Sequence, residues 1–226
     1  VMSRLFSDVL PEWPLDEVEA GLASATGTDV LRALELAEAG QRLSARDFMA
    51  LVSPAASPHL EDMARIARQV TLRQFGRAVQ LFTPLYLANY CTNQCVYCGF
   101  NTKNRIHRSM LTMDEVEAEG RTIAATGLRN ILLLTGDAPK LTGPDYIAEA
   151  ARRLRPFFPS IGIEVYSMSE ADYRMLVEAG VDSFTMFQET YNEGLYLKLH
   201  PAGPKRDFRY LSLIHISEPT RPEPIS

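Results

Sequence analysis

From Thr83 onward the sequence alternates short apolar runs with longer segments of helical periodicity. This alternation is typical of βα units arranged around a parallel sheet. We predict strands at residues 85–88, 130–134, 162–166 and 183–187, and helices at residues 112–126, 143–154 and 169–179. Gly127 and Gly180 follow two of these helices, where a left-handed C-cap favours glycine. The pattern therefore predicts an α/β fold.

The number of units is limited by length. A closed barrel of eight βα units needs roughly 200 residues or more. The chain has 226 residues, and the part after Thr83 holds at most half of such a barrel. We predict the N-terminal half of a (βα)8 TIM-type barrel, with about four βα units, in residues 81–210.

Residues 1–80 are predicted to form a helical N-terminal extension, with helices beginning at Leu15 and at residues 30–39, 44–52 and 58–75. Ser44 and Asp47 have the spacing of a capping box. Residues 211–226 have no periodicity and contain three prolines in six residues. They resemble a translated sequencing adapter, so we expect a disordered, non-native tail joined to a truncated reading frame.

All three cysteines of the chain, Cys91, Cys95 and Cys98, lie within eight residues directly after the first predicted strand. An odd, clustered set cannot form a disulfide framework. The spacing C-x3-C-x2-C lets each thiolate bind one iron of a 4Fe–4S cluster, which leaves the fourth iron open for an external ligand. A zinc site is the alternative and needs a fourth ligand such as His107.

Further polar residues stand where the predicted strands end, and barrel active sites lie at this edge. Gly136 and Asp137 follow the second strand, and Glu164 is a charge within the apolar third strand. Gln188 and Glu189 follow the fourth strand and suit the hydroxyls of a ribose. The four histidines share no ligand spacing and are predicted to be structural or surface residues: His59, His107, His200 and His215.

Charge and hydropathy argue against two classes of partner. The net charge is −5 and Lys and Arg form no cluster, so we expect no nucleic-acid partner. No apolar run approaches the roughly 18–20 residues of a membrane span, and the N-terminus does not resemble a signal peptide. We expect a cytoplasmic protein without a membrane partner.

Several motifs together resemble one enzyme family. They are Asn89-Tyr-Cys-Thr-Asn-Gln-Cys-Val-Tyr-Cys-Gly-Phe100, Thr135-Gly-Asp137, Gln188-Glu-Thr-Tyr-Asn192 and Lys205-Arg-Asp-Phe208. Across residues 10–210 the chain resembles the 2-iminoacetate synthases, the tyrosine lyases of thiamine biosynthesis in the radical S-adenosylmethionine (SAM) superfamily.

The resemblance implies a 4Fe–4S cluster on Cys91, Cys95 and Cys98, with SAM on the open iron. Tyr97 would lie near the adenine. Gly136 and Asp137 would receive the SAM amino group, with Asp in place of the family's longer Glu. Glu164 would be a SAM or substrate contact, Gln188 and Glu189 would be further SAM contacts, and no catalytic side chain is assigned.

The implied reaction cleaves the Cα–Cβ bond of L-tyrosine to 2-iminoacetate and p-cresol. A flavodoxin- or ferredoxin-type protein would supply electrons, and thiazole synthase would take the 2-iminoacetate. Because the later strands have no counterpart, we expect the chain by itself to be inactive. The alternatives are a hydrogenase-maturase-type tyrosine lyase, a biotin-synthase-like radical SAM enzyme, a non-catalytic metal-binding module, and a fragment that is not stably folded.

Overall fold

The computed structural model describes residues 9–209. The predicted tail, residues 211–226, lies outside the described residues. The chain divides into two compact units, one from Asp8 to Val79 and one that begins at Gln80. Among the described residues, no helix has both the length and the apolar character needed to cross a membrane.

The first unit is helical. Its α-helices are α1 (Leu15–Ser24), α2 (Gly27–Glu38), α3 (Ala45–Leu51) and α4 (Leu60–Phe75), with 3-10 turns at Leu10–Glu12 and Pro54–His59. The predicted capping box at the start of α3 is confirmed. The predicted helix over residues 58–75 begins later, at Leu60, because the proline-bearing segment before it forms a 3-10 turn.

A small apolar core holds these helices together. Val30 and Leu34 of α2 pack with Ala50 of α3, with Ala56 of the second 3-10 turn and with Ile66 of α4. Ala50 and Ala56 are almost completely buried, so small side chains allow the elements to approach closely.

The second unit is a parallel α/β sheet. Its strands are β1 (Phe82–Ala88), β2 (Asn130–Thr135), β3 (Ser160–Glu164) and β4 (Ser183–Phe184), in the order β1-β2-β3-β4. All three pairings are parallel. The connecting helices are α5 (Met113–Ala125), α6 (Pro144–Leu154) and α7 (Glu170–Glu178), and α8 (Glu193–Leu199) follows β4. The predicted α/β half-barrel is confirmed.

The strand boundaries differ from the prediction in β1, β3 and β4, and β3 begins and ends two residues earlier than the predicted 162–166. Strand β1 begins at Phe82 and includes Pro84, a residue that is tolerated at a sheet edge. Strand β4 contains only two residues, so the polar residues that follow it lie in a loop. Helix α8 was not predicted.

The core of this unit lies between the sheet and its helices. Ile131 and Leu133 of β2 and Ile161 and Ile163 of β3 are almost completely buried. They pack against apolar residues of the helices, among them Val116, Ile147, Leu154 and Leu176. Because the strands are parallel, their carboxyl ends meet at one edge, and the loops there are positioned by this core.

Candidate cofactor site

A cavity of about 430 Å³ opens at the carboxyl edge of the sheet. The segments that follow β1, β2, β3 and β4 all contribute to its wall. Eight of the nine predicted site residues line it, and these are Cys91, Cys95, Tyr97, Cys98, Gly136, Asp137, Glu164 and Glu189. The fold thus brings together residues that are separated by almost 100 positions in the sequence.

The cysteine loop, which we define as residues 89–110, is held by its own backbone and side chains. The Cys98 N–H donates to the Cys95 carbonyl at 3.3 Å, and the Asn101 side chain donates to the same carbonyl at 2.9 Å. Arg108 donates to the carbonyls of Phe100 and Asn101 at 3.0 and 2.8 Å. These bonds satisfy buried carbonyls in a segment without regular structure.

The three thiols differ in exposure. Cys95 is buried, and Cys91 and Cys98 are half-buried; all three are free. Burial raises the pKa of the Cys95 thiol, and the positive charge of Lys205 acts against this effect. Because a thiolate is the form that binds iron, loading of the site must release this proton.

The donor set fits a multi-iron cluster better than a single ion. Within residues 9–209, no three His, Cys, Asp or Glu side chains converge closely enough to hold one metal ion. A cubane does not require such convergence, because each thiolate binds a different iron. A structural zinc ion needs four ligands around one centre, and His107 does not line the cavity.

The end of β2 is tied directly to the cysteine loop. The Asp137 carbonyl accepts from the Thr92 N–H at 2.8 Å and from its hydroxyl at 2.9 Å. The Asp137 carboxylate accepts from the Asn93 amide at 2.8 Å. Burial raises the pKa of Asp137, and the bond from Asn93 partly offsets this shift. A carboxylate is thereby held at the cavity beside the cysteines.

Gly136 lies where β2 and the cysteine loop approach each other most closely. A Cβ at this position would lie 2.2 Å from the Tyr90 carbonyl oxygen and 2.9 Å from the Cys91 Cβ. Neither neighbour is the end of a flexible side chain, so only glycine fits.

The two glutamates and Gln188 have different surroundings. Glu164 ends β3 and lines the cavity half-buried. Glu189 also lines it and forms an ion pair with Lys205 at 2.7 Å. Gln188 does not line the cavity: its side chain is buried and donates to the Phe208 carbonyl at 3.3 Å. A cofactor contact by Gln188 would need a different rotamer.

Three residues to which the sequence patterns assigned no role also belong to the site. Asn93 and Lys205 line the cavity. His200 was predicted to be structural or at the surface; it is fully buried, and its Nε2 lies 2.6 Å from the Tyr97 hydroxyl. Local spacing carries no signal for these contacts, because they join segments more than 100 residues apart.

Comparison with known proteins identifies the superfamily of this chain. The family model of the radical SAM superfamily matches residues 85–211, which is more than half of the chain. The 2-iminoacetate synthase of Escherichia coli (strain K12) is 38% identical over 205 residues, which cover 91% of this chain and 53% of that protein. The 3-methylornithine synthase of Methanosarcina acetivorans is 32% identical over 166 residues, or 71% of this chain and 46% of that protein.

Solved structures show the same fold. A crystal structure of HydG, a maturase of the [FeFe]-hydrogenase, is similar with a TM-score of 0.81 and 27% identity. The match covers 86% of this chain and 45% of the HydG chain. The chain spans about half the length of the curated relatives it matches. With the cysteine loop at the sheet edge and the family match over this unit, the chain belongs to the radical SAM superfamily, whose cofactors are a 4Fe–4S cluster and SAM.

Proposed function

We propose that this chain carries the cofactor site of a radical SAM lyase that cleaves the Cα–Cβ bond of L-tyrosine to 2-iminoacetate and p-cresol. The observation that supports it most is the convergence of Cys91, Cys95 and Cys98 with the ends of β2 and β3 on one cavity. The choice of tyrosine is supported by the 38% identity to 2-iminoacetate synthase over 91% of the chain.

The residues have distinct proposed tasks. Cys91, Cys95 and Cys98 would each hold one iron. When bound, the reduced cluster and SAM supply a 5′-deoxyadenosyl radical that takes a hydrogen atom from the substrate. Asp137, held by Asn93, would accept a hydrogen bond from an amino group such as that of SAM.

The remaining contacts concern orientation. Tyr97 presents a half-exposed ring beside Cys98, where it would stack near the adenine. Glu164 and Glu189 offer acceptors for ribose hydroxyls from the next two strand ends. The apolar wall, which includes Leu134, Val165 and Phe187, would exclude water from a radical reaction.

The proposal extends to the cellular setting. Thiazole synthase would take the 2-iminoacetate, a flavodoxin- or ferredoxin-type protein would supply electrons, and the location would be cytoplasmic. The family resemblance supports the two partners, and free thiols favour a reducing compartment.

The first experiment tests the cofactor site. Anaerobic reconstitution with iron and sulfide should load about four iron atoms per chain, and SAM should change the electron paramagnetic resonance (EPR) spectrum of the reduced cluster. Cys91→Ser, Cys95→Ser and Cys98→Ser should each lose most of this iron, because the chain has no other cysteine. His107→Gln is the matched control. Loss of metal in that variant, with zinc bound by the parent chain, would support the zinc alternative.

The second experiment tests the substrate. The 205 residues of this chain that align with the E. coli 2-iminoacetate synthase would replace their counterpart in that enzyme. With SAM, reductant and L-tyrosine, the hybrid should form p-cresol and 5′-deoxyadenosine. The unaltered E. coli enzyme is the control. A hybrid that binds its cluster and makes 5′-deoxyadenosine without any p-cresol would contradict the tyrosine assignment.

The hydrogenase-maturase alternative is distinguished by the fate of the cleavage product. The structural similarity to HydG favours keeping it as the second candidate. Release of 2-iminoacetate indicates the thiamine-type lyase. It is detected as glyoxylate, which forms together with ammonia when the imine is hydrolysed. Both candidates share the proposed cofactor site, so the first experiment does not separate them.

A further inference from the structure

The cysteine loop is hydrogen-bonded to the segment at the end of α8 and directly after it. The Gln94 N–H donates to the Ala202 carbonyl, and the Val96 N–H donates to the Leu199 carbonyl, both at 3.0 Å. The backbone on both sides of Cys95 is therefore hydrogen-bonded to residues 199–205, which we call the support segment.

Asn93 and Gly203 fix the contact between these two segments. Asn93 is buried, and its Oδ1 accepts from the Lys205 N–H at 2.9 Å. Gly203 has a φ of +100°, and a Cβ there would lie 2.3 Å from that Asn93 oxygen. A side chain at position 203 would overlap Asn93, so glycine is required at this contact.

His200 is the side chain of the support segment that reaches the cofactor site. Its Nδ1 lies 2.9 Å from the Tyr196 carbonyl, which can only accept, so Nδ1 carries the proton. In the neutral ring Nε2 is then an acceptor, and the Tyr97 hydroxyl donates to it at 2.6 Å. The His200 side chain is fully buried, and the bond as a whole is part-buried because about half of Tyr97 is exposed.

The two charged groups near His200 act on its pKa in opposite directions, Glu189 raising it and Lys205 lowering it. Glu189 lies 3.4 Å from Nε2, but its carboxylate is already paired with Lys205. Burial lowers the pKa of His200, and the carboxylate of Glu189 acts against this effect. The contact of Nε2 with the Tyr97 hydroxyl, at 2.6 Å, is shorter than its contact with Glu189, at 3.4 Å.

The bond between Tyr97 and His200 orients the Tyr97 ring, which forms part of the cavity wall. Tyr97 and His200 meet edge to face, with centroids 5.5 Å apart and planes at 85°. About half of Tyr97 is exposed and lines the cavity next to Cys98. The Tyr97 hydroxyl also forms side-chain hydrogen bonds with Glu189 and Cys95, so His200 is one of the groups that hold this ring at the cavity wall.

We propose that His200 is a positioning residue for SAM, which acts by anchoring the hydroxyl of Tyr97 and so orienting the ring beside Cys98. The proposal rests on the cofactor site proposed above. It assigns a role to a buried histidine of the support segment that does not itself touch the cofactor.

The test compares four variants of the reconstituted 226-residue chain. Tyr97→Phe and His200→Leu remove the bond, whereas His200→Gln retains an acceptor close to the position of Nε2. Tyr146→Phe is the matched control, because it removes a tyrosine hydroxyl that donates to Leu87 and Leu111 away from the support segment. Iron content, melting temperature and the Kd for SAM, from EPR titration of the reduced cluster, are measured for each.

We expect Tyr97→Phe and His200→Leu to raise the Kd for SAM about tenfold, as loss of a part-buried hydrogen bond would, and His200→Leu to keep the iron content of the parent chain. His200→Gln should restore most of the affinity. Tyr146→Phe should lower the melting temperature and leave the Kd unchanged. The double variant Tyr97→Phe/His200→Leu should be no weaker than either single variant, since both remove the same bond.

Other outcomes separate the two proposals. If the parent chain binds no iron, the proposed cofactor site fails. If iron binds and the Kd for SAM is unchanged in Tyr97→Phe, His200 has only a structural role and the positioning proposal is wrong. Should His200→Leu not fold, Tyr97→Phe decides, because it keeps the ring and removes only the hydroxyl.

Discussion

Single residues set the distance between the cysteine loop and the strand ends. Gly136 allows β2 to lie against the Tyr90 carbonyl, and Gly203 allows the support segment to lie against Asn93. The planar guanidinium of Arg108, which has five N–H donors, donates hydrogen bonds to carbonyls of the same loop. The cysteine loop is therefore in contact with the end of β2 and with the support segment, and Arg108 adds hydrogen bonds within the loop.

Gly136→Ala tests this close approach. The added methyl group would overlap backbone and a Cβ, so we expect the free energy of unfolding of this unit to fall by roughly 1–3 kcal/mol and iron loading to decrease. Gly99→Ala is the control from the same cavity, because a Cβ there has no neighbour within 4 Å. Chemical denaturation and iron analysis measure both effects. Equal behaviour of the two variants would mean that the loop can move away from β2.

At the scale of elements, capping boxes begin helices in both units. They join Thr26 to Asp29, Ser44 to Asp47, Thr112 to Glu115 and Ser169 to Asp172. In each box, the hydroxyl and the carboxylate satisfy N–H groups that the first helical turn leaves free. The acidic residues also lie at the positive end of the helix dipole.

These boxes predict a loss of stability in acid. Hydrogen bonds from Thr26, Ser44 and Thr112 hold the pKa values of Asp29, Asp47 and Glu115 below their ordinary range. A carboxyl whose pKa is lowered by folding stabilises the fold above its unfolded pKa of about 4, and this contribution disappears as the pH falls through the folded pKa. The melting temperature of the apoprotein should therefore decrease below about pH 4.

A triple variant provides the comparison. Asp29→Asn, Asp47→Asn and Glu115→Gln together should lower the melting temperature at neutral pH and flatten its decrease in acid. A variant that loses stability with the same pH dependence as the parent would show that other carboxyl groups are responsible.

At the scale of the whole molecule, the chain consists of two units with separate cores. The segment between α4 and β1 is exposed and has no regular structure over residues 77–81. We propose that the boundary between the helical extension and the half-barrel lies here. Exposed irregular segments between compact units are the preferred sites of proteolysis.

Limited trypsin digestion tests the boundary. We expect early cleavage after Arg77, which is exposed in this segment, to leave a fragment of the half-barrel unit that resists further digestion. Mass spectrometry identifies the site, and Arg77→Gln should remove it. First cleavage within β1 to α7 would contradict two independently stable units.

The sequence by itself determined the features that depend on neighbouring residues. Apolar periodicity located the four strands and the three helices between them, and hydroxyl–acid spacing located the cap of α3, because strands, helices and caps are formed by residues a few positions apart. The cysteine spacing likewise predicted a metal-binding loop, since its three donors lie within one short segment. The length of strand β4 was overestimated, because an apolar run does not show where pairing with β3 stops.

Only the tertiary structure decided which distant side chains meet at the site. Tyr97 and His200 are 103 residues apart, and Asn93 and Lys205 are 112 apart. Such contacts depend on how the sheet and α8 bring their loops to one edge, and no local pattern encodes them. The same packing turned Gln188 toward Phe208 and away from the cavity, while Glu189, its neighbour, faces it. In a loop after a two-residue strand, the direction of a side chain is set by the partners that packing provides.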